Sequence, residues 1–132
     1  MIDPRGGEAG RTISGNSALL VTVFQTGEAV APRDRSATHF LTFNRTDDAN
    51  RVQDILTALA YLAQEGAKDL HIIATGKAAV WAQFAAAVAP MPVTVEGKLE
   101  GFNGQDEDFL NQFFVPGIQR AGGLEAVRRI LP

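Results

Sequence analysis

Apolar positions in this chain fall into two rhythms. Ala18-Leu19-Leu20-Val21-Thr22-Val23-Phe24 is a short, mostly apolar, β-branched run ending at Thr26-Gly27, which predicts a strand buried on both faces. Leu70-His71-Ile72-Ile73-Ala74, broken by Thr75-Gly76, predicts a second buried strand. Val93-Thr94-Val95-Glu96-Gly97 predicts a third, weakened by its glycine. Between them the spacing changes. Val52, Ile55, Leu56, Leu59, Leu62 and Ala63 recur at three and four, one apolar stripe of a helix over 46–66. Thr46 suits its N-cap, Asp47 and Asp48 suit the positive end of its dipole, and Gly66 suits its left-handed close. An alanine-rich helix follows from about Lys77 to Ala89, stopped by Pro90, with Trp81, Phe84 and Val88 on one face. Shorter helices are predicted over Asp106–Phe114 and Leu124–Leu131.

Strand, helix, strand, helix, strand at this spacing means βαβ units with right-handed crossovers between parallel strands. The expected class is α/β, a three-layered parallel sheet with flanking helices. Residues 1–17, rich in Gly, Ser and charge, read as a flexible N-terminal arm, leaving 18–132 as the domain.

Composition narrows the function. The 132 residues carry 12 Lys and Arg against 15 Asp and Glu, a net charge of −3 that argues against nucleic acid or an anionic membrane as partner. The absence of cysteine removes disulfide scaffolds, thiolate zinc sites and cysteine nucleophiles. The start lacks the apolar centre of a signal peptide, and the longest apolar stretch, Ala78 to Val93, is interrupted and too short to span a bilayer. A cytoplasmic protein is the expectation, with Asn44-Arg45-Thr46 a chance glycosylation match.

The most informative segment is His71-Ile72-Ile73-Ala74-Thr75-Gly76-Lys77-Ala78-Ala79-Val80-Trp81. A strand, a tight glycine turn and a small-residue helix are the local architecture of a nucleophile elbow, whose pattern is Gly-x-Ser-x-Gly. Aligned on that pattern, the chain reads Gly76-Lys77-Ala78-Ala79-Val80. Ala78 stands where the serine would be, and a methyl group cannot attack a carbonyl. Phe43-Asn44-Arg45-Thr46-Asp47-Asp48, leading into Arg51-Val52-Gln53-Asp54-Ile55-Leu56-Thr57-Ala58-Leu59, resembles the α/β-hydrolase superfamily, closest to its acetyl-xylan-esterase-like and dienelactone-hydrolase-like proteins. Phe113-Phe114-Val115-Pro116-Gly117-Ile118 and Gly122-Gly123-Leu124 resemble the segment after the sixth strand of the same proteins.

The resemblance runs from about Ala18 to Pro132 and covers only the middle of that fold. It implies that the strands bearing the catalytic acid and histidine have no counterpart here. It also implies that the Ala79 amide is half of the family's oxyanion hole, the other half being absent. A strand that separates the 18–24 run from the elbow strand in the family is missing as well. An unpaired edge at that gap is an aggregation hazard, so a homodimer is expected, with strand exchange as one route to it. The expected function is a truncated, esterase-like domain without the triad, non-catalytic and self-associating. The alternative is a small hydrolase of activated esters or phosphoesters with a rebuilt site at the C-terminal edge of the sheet.

For such a rebuilt site His39 and His71, the only histidines, are candidate general bases, and Lys77 a candidate cation beside the elbow residues Gly76, Ala78 and Ala79. Arg33 and Arg35 lie in a loop after a strand, where open α/β sheets bind ligands and guanidinium groups suit carboxylate or phosphate. Gly76-Lys77 lacks the rest of a phosphate-loop pattern, with His71 and Ala78 at the defining positions. Asp106-Glu107-Asp108 reads as an acidic helix start rather than a metal site, and no cofactor is expected. Phe102, Phe109, Phe113 and Phe114 read as core or interface.

Overall fold

The structure, a computed structural model, describes residue 2 and residues 18–131. The remainder of the expected arm, residues 1 and 3–17, lies outside the described residues. The elements in chain order are a 3-10 turn Gly27–Ala29, α1 (Phe40–Phe43), α2 (Asp47–Gln64), β1 (Leu70–Ile73), α3 (Ala78–Val88), β2 (Val93–Glu96), α4 (Asp106–Asn111) and α5 (Gly123–Ile130). The class is mixed α/β around a two-stranded parallel sheet. Its register pairs Leu70 with Val93 and Ile73 with Glu96.

Local chemistry accounts for the long helix. The Thr46 side chain accepts from the Ala49 N–H at 3.2 Å, with Asp47 and Asp48 in the first turn. At the other end Gly66 donates to the Ala63 carbonyl and Ala67 to that of Leu62, the paired bonds of a left-handed close at Gly66. Ile55 and Leu59 are buried and Val52, Leu56 and Leu62 pack beside them, so the apolar stripe faces the core as its spacing predicts.

α3 is the centre of the molecule. It packs against α2, β2 and α5, and Ala78, Ala79, Val80, Trp81, Ala82, Phe84, Ala85 and Ala86 are all buried. Alanines allow this, because a helix of small side chains approaches its neighbours closely on every side. The expected apolar face is corrected at one position. Val88, at the frayed end, is exposed. Beyond α3, Phe84 stacks on Phe113 with ring centroids 4.3 Å apart, and Phe102 and Phe109 meet edge to face at 5.2 Å. Phe102, Phe109 and Phe113 are therefore core. Gly97 ends β2 where a Cβ would lie 2.7 Å from the Ala74 carbonyl oxygen and 3.1 Å from the Ala79 Cβ, so only glycine passes there.

Two expectations need correction. The run from Ala18 to Phe24 is not a strand. Among the described residues Val21 is the one member of the run in a bridge, and Leu20 is exposed while Val23 is buried. The end of the run is held by α2. Arg51 Nε donates to the Phe24 carbonyl at 3.0 Å, and the Phe24 N–H donates to Asp54 Oδ2 at 2.8 Å. Side chains thus take both backbone groups a ladder would use, and Thr26 turns the chain by donating to the Val23 carbonyl through its N–H and its hydroxyl. β1 and β2 are also not covered on both faces. Leu70, Ile72 and Val93 are buried, whereas His71, Thr94 and Glu96 alternate with them on an exposed face.

Ile2 is the unexpected member of the sheet. It forms parallel bridges with both Val21 and Ala74, donates to the Ile73 carbonyl at 2.8 Å and accepts from the Thr75 N–H at 3.3 Å. Its side chain is fully buried. The position between Val21 and β1, where the resemblance implies a missing strand, is occupied among the described residues by Ile2 of the same chain.

Candidate functional site

Two helix starts lie at the end of β1 where its strand direction points: that of α3, which follows it directly, and that of α2, which touches α3. Trp81 in the first turn of α3 donates its indole N–H to Asp48 Oδ1 in the first turn of α2 at 2.9 Å. Arg51 Nη1 donates to the same oxygen at 2.9 Å and stacks its guanidinium over the Trp81 ring at 4.7 Å. The Phe114 N–H donates to Asp48 Oδ2 at 2.8 Å. A buried carboxylate thereby ties α2, α3 and the segment after α4 together, with its charge matched by Arg51.

Outside this hub lies a groove of about 510 Å³, lined by Arg35, His39, Phe40, Leu41, Thr46, Asp47, Asp48 and Phe114. Its volume falls within the usual range of small-molecule sites. Phe40, Leu41 and Phe114 give it an apolar wall, and Arg35, His39 and Asp47 a polar rim. The loop before α1 is held in place by charge. Arg35 pairs with Asp47 Oδ2, Arg33 Nε lies 3.9 Å from Asp47 Oδ1, and Arg33 Nη2 donates to the Arg45 carbonyl at 3.1 Å. The Arg33 guanidinium sits between the Phe24 and Phe40 rings, 5.0 Å from each centroid. Asp34 closes the turn between these arginines by accepting from the Ser36 hydroxyl at 2.6 Å and the Ser36 N–H at 2.8 Å, which holds its carboxyl below the ordinary value of 3.8. His39 follows in a left-handed conformation, φ 60°, uncommon for a residue with a side chain.

Of the residues singled out from the sequence, Arg35 and His39 meet in this groove, and Arg33 joins them through Asp47. The others do not. His71 stands on the exposed sheet face, its Nδ1 4.0 Å from Glu96 Oε1. Lys77 is exposed at the turn into α3 and is no part of the groove lining. Gly76 adopts φ 54° in that turn, Ala78 is fully buried, and the Ala79 N–H donates to the Gly76 carbonyl at 3.1 Å. The turn is closed on itself: its central methyl faces the core and its amide is engaged.

The hub of Asp48, Arg51, Trp81 and Phe114 is what sequence reasoning missed. Asp48 was legible only as a favourable charge at a helix start. One signal was present: a buried indole needs an acceptor, and Asp48 with Arg51 stand one helical turn apart. The acidic run after Gln105 serves its own helix. Asp108 Oδ2 accepts from the Asn103 N–H at 2.8 Å and the Gln105 N–H at 3.1 Å, which lowers its pKa. Among the described residues no group of carboxylates and histidines is placed to hold a metal ion, and no helix is long and apolar enough to cross a membrane.

Chemically, the groove can bind more readily than it can attack. Asp48 already accepts from Arg51, Trp81 and Phe114, Asp47 is paired, and the Thr46 hydroxyl oxygen accepts from the Ala49 N–H as a cap. The imidazole of His39 stands on the rim of the groove. No family model matches this chain, and neither a curated protein nor a solved structure matches it.

Proposed function

We propose that the chain is a non-catalytic, self-associating α/β-hydrolase-like domain that holds a small ester or phosphoester in the groove at the start of α2. The observation that carries this reading is the state of the elbow position. Ala78 is a buried methyl, and the amide that follows it is already bonded to Gly76. An acyl-transfer site needs a nucleophile and a free donor for the oxyanion at that point, and neither is on offer. The hydrolase-like relationship draws support from the parallel direction shared by Val21, Ile2, β1 and β2 and from the strand–turn–helix at 70–88. In a three-layered plan the second layer belongs over the face bearing His71, Thr94 and Glu96. A cytoplasmic setting belongs to the same reading.

Ligand binding is supported by the division of the groove into an apolar wall and a polar rim, the usual arrangement of a small-molecule site. The acyl or aryl part of an ester packs on Phe40, Leu41 and Phe114, and its polar part meets Arg35 and His39. A second reading, hydrolysis by water activated at His39, has one observation in its favour: the left-handed backbone that sets this imidazole on the groove rim. A panel of p-nitrophenyl esters and p-nitrophenyl phosphate separates the two. Release of nitrophenolate at the buffer rate is the expected result, and turnover lost in His39→Ala establishes the second reading instead.

A further inference from the structure

β2 is the outer strand of the sheet, and a groove of about 310 Å³ lies beside it. The Ala74 N–H donates to the Glu96 carbonyl at 2.9 Å, so the Glu96 backbone faces β1. Backbone groups alternate sides along a strand, which turns those of Thr94 to β1 as well and those of Val93 and Val95 outward. Among the described residues no strand pairs with that outer edge. The groove beside it is walled by Val93, Val95, Leu99 and Leu131 and carries Gln83 and Arg128. Leu99 and Leu131 are partly buried, so apolar surface is left open there. Arg129 pairs with Glu125, whereas its neighbour Arg128 has no ion pair among the described residues.

Unpaired main-chain groups, open apolar surface and an unpaired guanidinium thus meet at one edge. We propose that this edge is a docking site for an extended, acidic segment of a partner protein, added to the sheet as a further strand beside β2. Main-chain bonds to Val93 and Val95 supply affinity, and alternate side chains supply selectivity. Residues two apart on the added strand point to the groove side. One is apolar and packs on Leu99 and Leu131; the other is a carboxylate and meets Arg128. The residues between them share the exposed face of Thr94 and Glu96 and are polar. Charge selects this occupant over a second copy of the chain. Antiparallel pairing with another β2 puts Val93 and Val95 on the groove side and Glu96 on the other, which leaves Arg128 unmatched. The groove shares no lining residue with the one at the start of α2, so the proposal stands apart from the ligand reading above.

Amide hydrogen exchange of the isotope-labelled full-length protein, read by NMR, tests the edge first. In the free protein the Val95 amide is expected to exchange fast and the Glu96 amide slowly. Protection of Val95 at every protein concentration means that the chain covers its own edge, and protection that grows with concentration means that a second copy does. Either result overturns the proposal. Two capped peptides, Thr-Leu-Thr-Glu-Thr and Thr-Glu-Thr-Leu-Thr, are then added to millimolar concentration. The expected result, for at least one of them, is saturable shifts at Val93, Val95 and Leu99 with slowed exchange at Val95. Glutamine in place of the peptide's glutamate, or Arg128→Gln in the protein, weakens binding about fivefold. Val95→Pro deletes the outward N–H, keeps the ladder to β1 and abolishes binding. Should that variant fail to fold, the peptide N-methylated throughout removes the same bonds from the other side and is expected not to bind. No shift with either peptide overturns the proposal. So does binding that Arg128→Gln leaves unchanged, or a response that sodium acetate reproduces while Val95 still exchanges fast.

Discussion

The starts of α2 and α3 are neighbours, joined by the bond from Trp81 to Asp48, yet they are made from opposite materials. At α3 the chain turns tightly on Gly76 and enters the helix through alanines, with Ala78 buried, the Ala78 and Ala79 amides bonded within the turn and Lys77 turned out to solvent. At α2 the chain wanders through Arg33, Arg35, His39, a short helical turn and Arg45 before Thr46, and it leaves a groove. Both positions follow apolar runs, where an α/β sheet places its ligands. The difference teaches that a familiar backbone path does not carry chemistry by itself. The path into α3 is the one that resembles an elbow, while the room and the ionisable groups are at α2.

The comparison can be broken most forcefully at Asp48. Asp48→Ala leaves the buried Trp81 indole without its acceptor and the partly buried Arg51 without its carboxylate, and a loss of about 3 kcal/mol in urea unfolding is expected. A loss below about 1 kcal/mol would mean that the hub does not hold the two helix starts together. Next comes Ala78→Ser, which places a hydroxyl back in the elbow slot. Because that position is fully buried, the change costs about 1–3 kcal/mol and yields no ester turnover. Turnover appearing with it would show that the α3 start is a dormant site rather than a closed turn.

A smaller effect is expected at Asp47. Its partner Arg35 is nearly half exposed, so Asp47→Asn costs no more than about 1 kcal/mol, while the Arg33–Ser36 loop loosens and its amide resonances shift. The smallest effect is on acidity. Asp34 has a folded pKa below the ordinary 3.8 because Ser36 bonds to its charged form. The stability it contributes is present above the ordinary value and is lost as pH falls through the lowered one. The Ser36 amide, followed by NMR, is expected to titrate with a midpoint below 3.8. Asp34→Asn abolishes that titration, and no such step is expected at Gly76–Ala79.

Much of the skeleton was legible in the sequence because its causes are local. Thr46, the apolar stripe and Gly66 define α2 without reference to anything else, and Pro90 stops α3. The run expected as a strand at 18–24 ends in contacts set by another element: Arg51 and Asp54 on α2 take the backbone of Phe24. Val88 was misplaced because the spacing alone does not say where packing ends. For the groove, Arg35 and His39 were each visible as candidates, but not their meeting. Asp48 reaches Trp81 across 33 residues and Phe114 across 66, distances at which no motif operates. The single-residue strand at Ile2 is beyond any periodicity.

The groove at α2 and the closed turn at α3 differ most in which of them receives a ligand. The direct measurement is a titration of the isotope-labelled protein with p-nitrophenyl butyrate, recording amide shifts by NMR and nitrophenolate release in the same sample. The expected result is shifts at His39, Phe40, Leu41 and Phe114, none at Gly76–Ala79, and release at the rate of buffer alone. Shifts confined to Gly76–Ala79, or steady release that His39→Ala abolishes, would contradict it.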